Sequence, residues 1–186
     1  MKKRVQVYGL PRSGTNYVEY LIRNNIDCEC TNRYVEKSSY FNYSSKVTLK
    51  HTKPHKSYAD YHIIILKESG NFVNSYSNWS KCSNNKAIEI YKKAIADYLE
   101  FYIKNSNSCV IVFHEDLISN ENIFIEKIKN KFNLEQKTDE IITTEMRMNK
   151  SGGNGYINQI YKFTNHDEID INDDYNEIKK YKLDLI

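Results

Sequence analysis

The stretch Arg4-Val5-Gln6-Val7-Tyr8-Gly9-Leu10-Pro11-Arg12-Ser13-Gly14-Thr15-Asn16-Tyr17-Val18-Glu19-Tyr20-Leu21-Ile22-Arg23-Asn24-Asn25 decides the fold. It reads as a short apolar strand that breaks at a Gly-Leu-Pro-Arg-Ser-Gly turn and restarts as an amphipathic helix. Such a junction leaves the first helical N–H groups unpaired and aimed into the turn, where backbone donors and the helix dipole favour a phosphate or a sulfate. A strand-turn-helix corner that binds nothing shares the outline, so the residues inside the turn must discriminate.

They argue against one anion chemistry. The spacing from Gly9 to Gly14 is that of a nucleoside-triphosphate loop, which requires Lys and then Ser or Thr directly after the second glycine. Thr15 and Asn16 stand there instead. The lysine that would reach the terminal phosphates is missing, as is the usual hydroxyl ligand for Mg²⁺, while a cation appears inside the turn as Arg12.

Outward from this unit, strands and helices alternate. Ile26 to Cys30 reads as a second short strand, followed by a polar loop through Ser45. Lys46–Lys50 alternates like a strand. Tyr61-His62-Ile63-Ile64-Ile65-Leu66-Lys67 is a β-branched run of the kind buried on both faces, placed in the middle of a parallel sheet. Helices are expected over 69–80 and 86–104, a buried strand over 108–113, a helix marked by Ile123, Phe124, Ile128 and Phe132, and a short helix near 174–182. The alternation implies an α/β fold of three layers, α/β/α, with a mostly parallel central sheet and its ligand site beyond the carboxyl ends of the strands.

A chain of 186 residues, 40% hydrophobic, is the length of one ordinary domain, so 1–186 is read as a single unit. Its 27 basic and 24 acidic residues give a formal charge of +3 with no long single-sign block, which does not call for nucleic acid as a partner. The Met-Lys-Lys-Arg start enters a strand directly and lacks the apolar run of a signal peptide; no window approaches a membrane span. A cytoplasmic protein is expected. Cys28, Cys30, Cys82 and Cys109 form no paired C-x-x-C, so neither zinc nor a disulfide framework is indicated. The 16 tyrosines accompany an excess of Asn, Lys and Ile and are read as compositional bias, not as a binding stripe.

With only six glycines and two prolines, the positions that hold them mark special backbone. Gly9, Pro11 and Gly14 fall in the first turn and Gly70 follows the Tyr61–Lys67 strand. Gly152, Gly153 and Gly155 form a late cluster, and Pro54 closes Leu49-Lys50-His51-Thr52-Lys53.

Taken together, Pro11-Arg12-Ser13-Gly14-Thr15-Asn16-Tyr17 resembles the 5′-phosphosulfate loop of the sulfotransferases, typically Pro-Lys/Arg-Ser-Gly-Thr-Thr-Trp. The donor of that family is 3′-phosphoadenosine 5′-phosphosulfate (PAPS). The resemblance implies a P-loop-type sulfotransferase fold in which Arg12, Ser13, Gly14, Thr15 and Asn16 hold the 5′ end of the donor and Tyr17 lies near the adenine. Lys67 and Ser75, eight residues apart, match the family's Arg and Ser that grip the 3′-phosphate, although Lys in place of Arg loses the bidentate fork. Arg147-Met148-Asn149-Lys150-Ser151-Gly152-Gly153 resembles the Arg-Lys-Gly loop that closes over the same phosphate. Lys50-His51-Thr52-Lys53-Pro54 resembles the Lys-Thr-His-Leu-Pro segment, with the histidine one residue nearer the lysine. By that resemblance His51 is the base that takes the acceptor's proton, with His55 as its rival, and Lys50 stabilises charge on the leaving oxygen. His114-Glu115-Asp116-Leu117 resembles the family's Glu-Asp-Leu turn, a capping and scaffold element. Trp79 is assigned to packing.

The implied reaction is transfer of a sulfuryl group from PAPS, without a metal, to a hydroxyl or amine acceptor, a glycan being the first candidate. Two rivals stay open: a P-loop kinase or other phosphotransferase using ATP and Mg²⁺, and a non-catalytic nucleotide- or glycan-binding relative.

Overall fold

The computed structural model describes residues 1–31, 34–35, 47–143 and 166–185. Four strands form an all-parallel sheet: β1 (Arg4–Tyr8), β2 (Glu29–Thr31), β5 (Tyr61–Leu66) and β6 (Cys109–Phe113), in the order β2-β1-β5-β6. A separate antiparallel pair joins β3 (Tyr34–Val35) to β4 (Val47–Thr48). The helices among the described residues are α1 (Thr15–Asn25), α2 (Ser69–Ser80), α3 (Asn84–Asn105), α4 (His114–Ile118), α5 (Glu121–Phe132) and α6 (Asp173–Lys179).

Alternation along the strands creates the layers. Val5, Val7, Ile63, Ile65, Val110 and Val112 point to one face and pack with Val18, Leu21 and Ile22 of α1 and with Phe124, Ile125 and Ile128 of α5. Their neighbours Tyr8, Ile64, Leu66, Ile111 and Phe113 point to the other, against Phe72 of α2, Tyr91, Ile95 and Tyr98 of α3, and Tyr175 and Ile178 of α6. The fold is therefore α/β, its parallel sheet enclosed by helices on both faces as the continuous Ile63–Leu66 run requires. No helix among the described residues is long and apolar enough to cross a membrane.

Several element boundaries differ from the sequence reading. The strand expected over 46–50 is only Val47–Thr48, pairs outside the main sheet, and gives way to a 3₁₀ turn at Leu49–His51. That turn is drawn into the end of β1, where the amide of Gly9 donates to the Lys50 carbonyl at 2.9 Å. The polar loop expected before Ser45 contains β3, and the expected strand at 26–30 begins only at Glu29. The Glu115-Asp116-Leu117 turn is a short helix, α4. Within it Leu117 is buried, and Asp116 pairs with Lys182 at 2.9 Å. The Leu183 amide then donates to Ile111 at 2.6 Å, so the chain after α6 runs along the free edge of β6. Trp79 is half exposed, tilted against Tyr76.

His62 sits in the sheet with no exposed surface, stacked on Tyr8 at 6.0 Å and edge-on to Phe101 at 5.0 Å, and neither ring nitrogen has a hydrogen-bond partner among the described residues. Burial lowers its pKa to about 4 from an ordinary 6.5. Burial also lowers His51 to about 4 and His114 to about 3. Because these folded-state values lie below the unfolded one, their contribution to stability is complete above pH 6.5 and is lost as the pH falls toward about 4. Each histidine accounts for about 1.4 kcal/mol per pH unit inside that window. His62→Phe keeps the aromatic contacts and removes the titration. Urea unfolding at pH 7 and pH 5 is expected to give this variant a smaller acid loss than the native chain by about 1.4 to 2 kcal/mol, a difference from which groups common to both proteins cancel.

Candidate functional site

The strand order changes direction at β1. From β1 the chain moves outward to β2, then returns to the other side of β1 as β5, so the carboxyl ends of β1 and β5 flank the switch point where ligands bind in open parallel sheets. The turn Gly9–Gly14 leaves the end of β1 and Lys67 leaves the end of β5.

Both glycines of the turn are required by packing. A Cβ on Gly9 would lie 2.6 Å from the Ile65 carbonyl oxygen and 2.9 Å from Cγ2 of Thr15. Gly14 has φ 94°, a left-handed value, and a Cβ there would lie 2.6 Å from Cδ2 of His114. Arg12 also adopts a left-handed φ of 75°, and the Ser13 amide donates to the Leu10 carbonyl at 3.1 Å, which closes the turn. Helix α1 then starts at Gly14 without a side-chain cap and without an acidic residue in its first turn, so its positive end is not offset locally. The Ser13 hydroxyl is fully buried and has no partner among the described residues. Arg12 and Asn16 are exposed.

The 3₁₀ turn at 49–51 is bound to the root of this loop. Besides the Gly9 amide bond to Lys50, the Gly9 carbonyl accepts a hydrogen bond from Nδ1 of His51 at 2.7 Å. That contact assigns the ring proton to Nδ1 and the lone pair to Nε2. Burial is the main cause of the lowered His51 pKa; the Gly9 bond opposes it and the charge of Lys50 adds to it. His51 is thus a neutral imidazole at pH 7. His55, the rival, is exposed; its amide donates to the Tyr8 hydroxyl at 3.3 Å. Lys50 is buried, with its ammonium 3.3 Å from Oε2 of Glu19 and hydrogen-bonded to Oδ1 of Asn16.

Lys67 is partly buried, and desolvation lowers its pKa; Glu115 opposes that shift and Arg12 adds to it, so Lys67 and the turn share one field. Ser75 lies on α2 off its fully buried stripe. Tyr17 is turned inward: it is 1% exposed, bonds to Glu121, and meets the His114 ring edge-on at 5.8 Å. Tyr17, expected near the adenine, thus faces the core between α1 and α5. Arg147, Lys150 and Gly152 lie outside the described residues.

Three further acidic and polar residues, Glu19, Glu115 and Asn71, belong to these surroundings. Glu19 is the ionic partner of Lys50. Glu115 is mostly buried, which raises its pKa, and its Oε1 accepts from the Asn71 amide at 2.9 Å. Asn71 in turn accepts the His166 amide at 2.8 Å, tying the segment after residue 165 to the strand ends. In the sequence Glu115 stands two positions after β6 within the Glu-Asp-Leu turn, and nothing there marks it as a neighbour of Lys67. Glu19 carries no signal either, because its partner is 31 positions away.

No family model, curated protein or solved structure matches this chain.

Gly14→Ala is expected to lose about 2 kcal/mol, a Tm drop of about 4–8 °C, from left-handed strain and the contact with buried His114. Gly70→Ala, whose Cβ would lie 1.9 Å from the Asp167 carbonyl oxygen, serves as a comparison outside the turn. Circular dichroism melts of the two variants report the cost. Loss of anion binding only in Gly14→Ala would separate the turn from the general fold.

Proposed function

We propose that this chain is a PAPS-dependent sulfotransferase that moves a sulfuryl group in line from the phosphosulfate to a hydroxyl or amine acceptor. The observation that carries this reading is the turn at the β1/β5 switch point. It combines an uncapped helix start, a buried unpartnered Ser13 hydroxyl and an exposed Arg12, and it lacks the lysine and hydroxyl that a Mg²⁺-nucleotide loop requires. Arg12 to Asn16 hold the 5′ end of the donor. By the resemblance, Lys67, Ser75 and Lys150 are assigned to the 3′-phosphate, together with Arg147 and Gly152.

In this scheme the S–O bond to the leaving phosphate breaks as a bond to the acceptor oxygen or nitrogen forms, and the acceptor's proton goes to Nε2 of His51. The bond from Nδ1 to Gly9 orients that nitrogen, and Lys50 offsets the charge on the leaving oxygen. Positioning and charge stabilisation carry the rate, with no metal invoked. The four cysteines are free thiols, which fits a reducing, cytoplasm-like setting. A glycan hydroxyl is the first acceptor class to screen. One observation favours a second reading, a nucleotide-binding relative that transfers nothing: Lys50 is already engaged by Glu19.

Thermal stabilisation by 3′,5′-adenosine bisphosphate, compared with ATP and Mg²⁺, tests the site, since a ligand bound only by the folded state raises Tm by mass action. A shift with the bisphosphate alone is expected. A shift with ATP and Mg²⁺ alone would transfer the assignment to a phosphotransferase, and binding without turnover over an acceptor screen would favour the non-catalytic reading. Arg12→Ala is expected to reduce kcat/KM by about 100-fold or more with little change in Tm, because the side chain is exposed. Full activity in that variant would overturn the proposal. With a base of pKa about 4, transfer should hold its rate as the pH falls from 8 to 5.

A further inference from the structure

The least economical feature near the turn is the ion pair between Lys50 and Glu19. Their side chains are 8% and 9% exposed, and taking both charges out of water is costly unless the pair is fully hydrogen-bonded. It is not: Oε1 of Glu19 is buried with no partner among the described residues. An apolar pair of similar volume would serve the fold as well or better. The second contact of the Lys50 ammonium is Asn16, an exposed residue in the first turn of α1. The cation thus lies between an interior carboxylate and the mouth of the loop, on a backbone turn bonded to the loop's first residue.

We propose that Glu19 is the internal counter-anion of the site: it holds the Lys50 ammonium when no ligand is bound and competes with an incoming phosphate- or sulfate-bearing ligand for it. This rests on the reading of the Gly9–Gly14 turn as an anion cradle. Releasing Lys50 leaves Glu19 buried and uncompensated, so a ligand must supply enough negative charge at the loop to offset that loss. Multiply charged phosphate or phosphosulfate groups meet the requirement, and singly charged anions do not. Glu19 thereby acts as a positioning residue that sets which anions the loop retains.

The test is calorimetric titration of the native chain, Glu19→Gln, Lys50→Gln and the double variant with 3′,5′-adenosine bisphosphate and with inorganic pyrophosphate at low ionic strength. Glu19→Gln is expected to bind both about tenfold more tightly than the native chain. The gain should vanish in the double variant, which should bind no better than Lys50→Gln. Equal affinity in Glu19→Gln and the native chain would overturn the proposal, as would a gain that survives without Lys50, which would mark a general charge effect. If Glu19→Gln does not fold, Glu19→Asp weakens the grip with the charge retained, and an affinity no higher than native in that variant overturns the proposal equally. The two readings separate cleanly. Pyrophosphate binding that tightens in Glu19→Gln without any response to the bisphosphate supports the counter-anion and removes the PAPS assignment. Bisphosphate binding indifferent to Glu19 does the reverse. Failure of every variant to bind either anion overturns both.

Discussion

Gly9 is held from three sides, and the site depends on that arrangement. Its amide is bonded to the Lys50 carbonyl, its carbonyl to the His51 ring, and the space a side chain would need is taken by the Ile65 carbonyl and Thr15. These contacts connect the end of β1, the end of β5, the first turn of α1 and the 3₁₀ turn at 49–51. A residue with a Cβ would push at least one of them away, which is a stronger demand for glycine here than conformational freedom.

The charges around this junction are arranged in an unusual way for so small a site. Lys50 faces Glu19, and Lys67 feels Glu115 and Arg12. Two histidines beside the junction, His51 and His114, are kept neutral by burial. Burial weakens the solvent screening that makes exposed pairs nearly worthless, so the Lys50–Glu19 pair interacts more strongly than the surface pairs do. The outer surface carries pairs such as Lys86–Glu89 and Lys104–Glu100 that are mostly exposed and contribute little to stability.

The layering was legible because it follows from local periodicity. The β-branched run at 61–67 could satisfy its apolar residues only with cover on both faces, and the cores on the two sides of the sheet use alternate residues of the same strands. The helices α2, α3 and α5 were legible for the same reason. Short elements were not: Val47–Thr48 and Leu49–His51 are defined by pairing with β3 and with Gly9, and those bonds override the alternation in Lys46–Lys50. At the candidate site, the position of Arg12 to Asn16 and of Lys67 after buried strands is legible in the sequence. The inward turn of Tyr17 is not, since a tyrosine at that position in an amphipathic helix is compatible with either face.

What the sequence by itself determined is the α/β layering, the strand-turn-helix unit at 4–25 and the lack, after Gly14, of the Lys-Ser/Thr pair that an ordinary Mg²⁺-nucleotide loop carries. All three depend on residues near one another along the chain, through strand and helix periodicity and the identity of two positions after Gly14. Only the tertiary structure decided which charges face one another. The pairing of Lys50 with Glu19 and the bond from His51 to Gly9 join residues 31 and 42 positions apart. Such contacts depend on how the sheet is ordered and on what is removed from water, and neither is written in the spacing of residues along the chain.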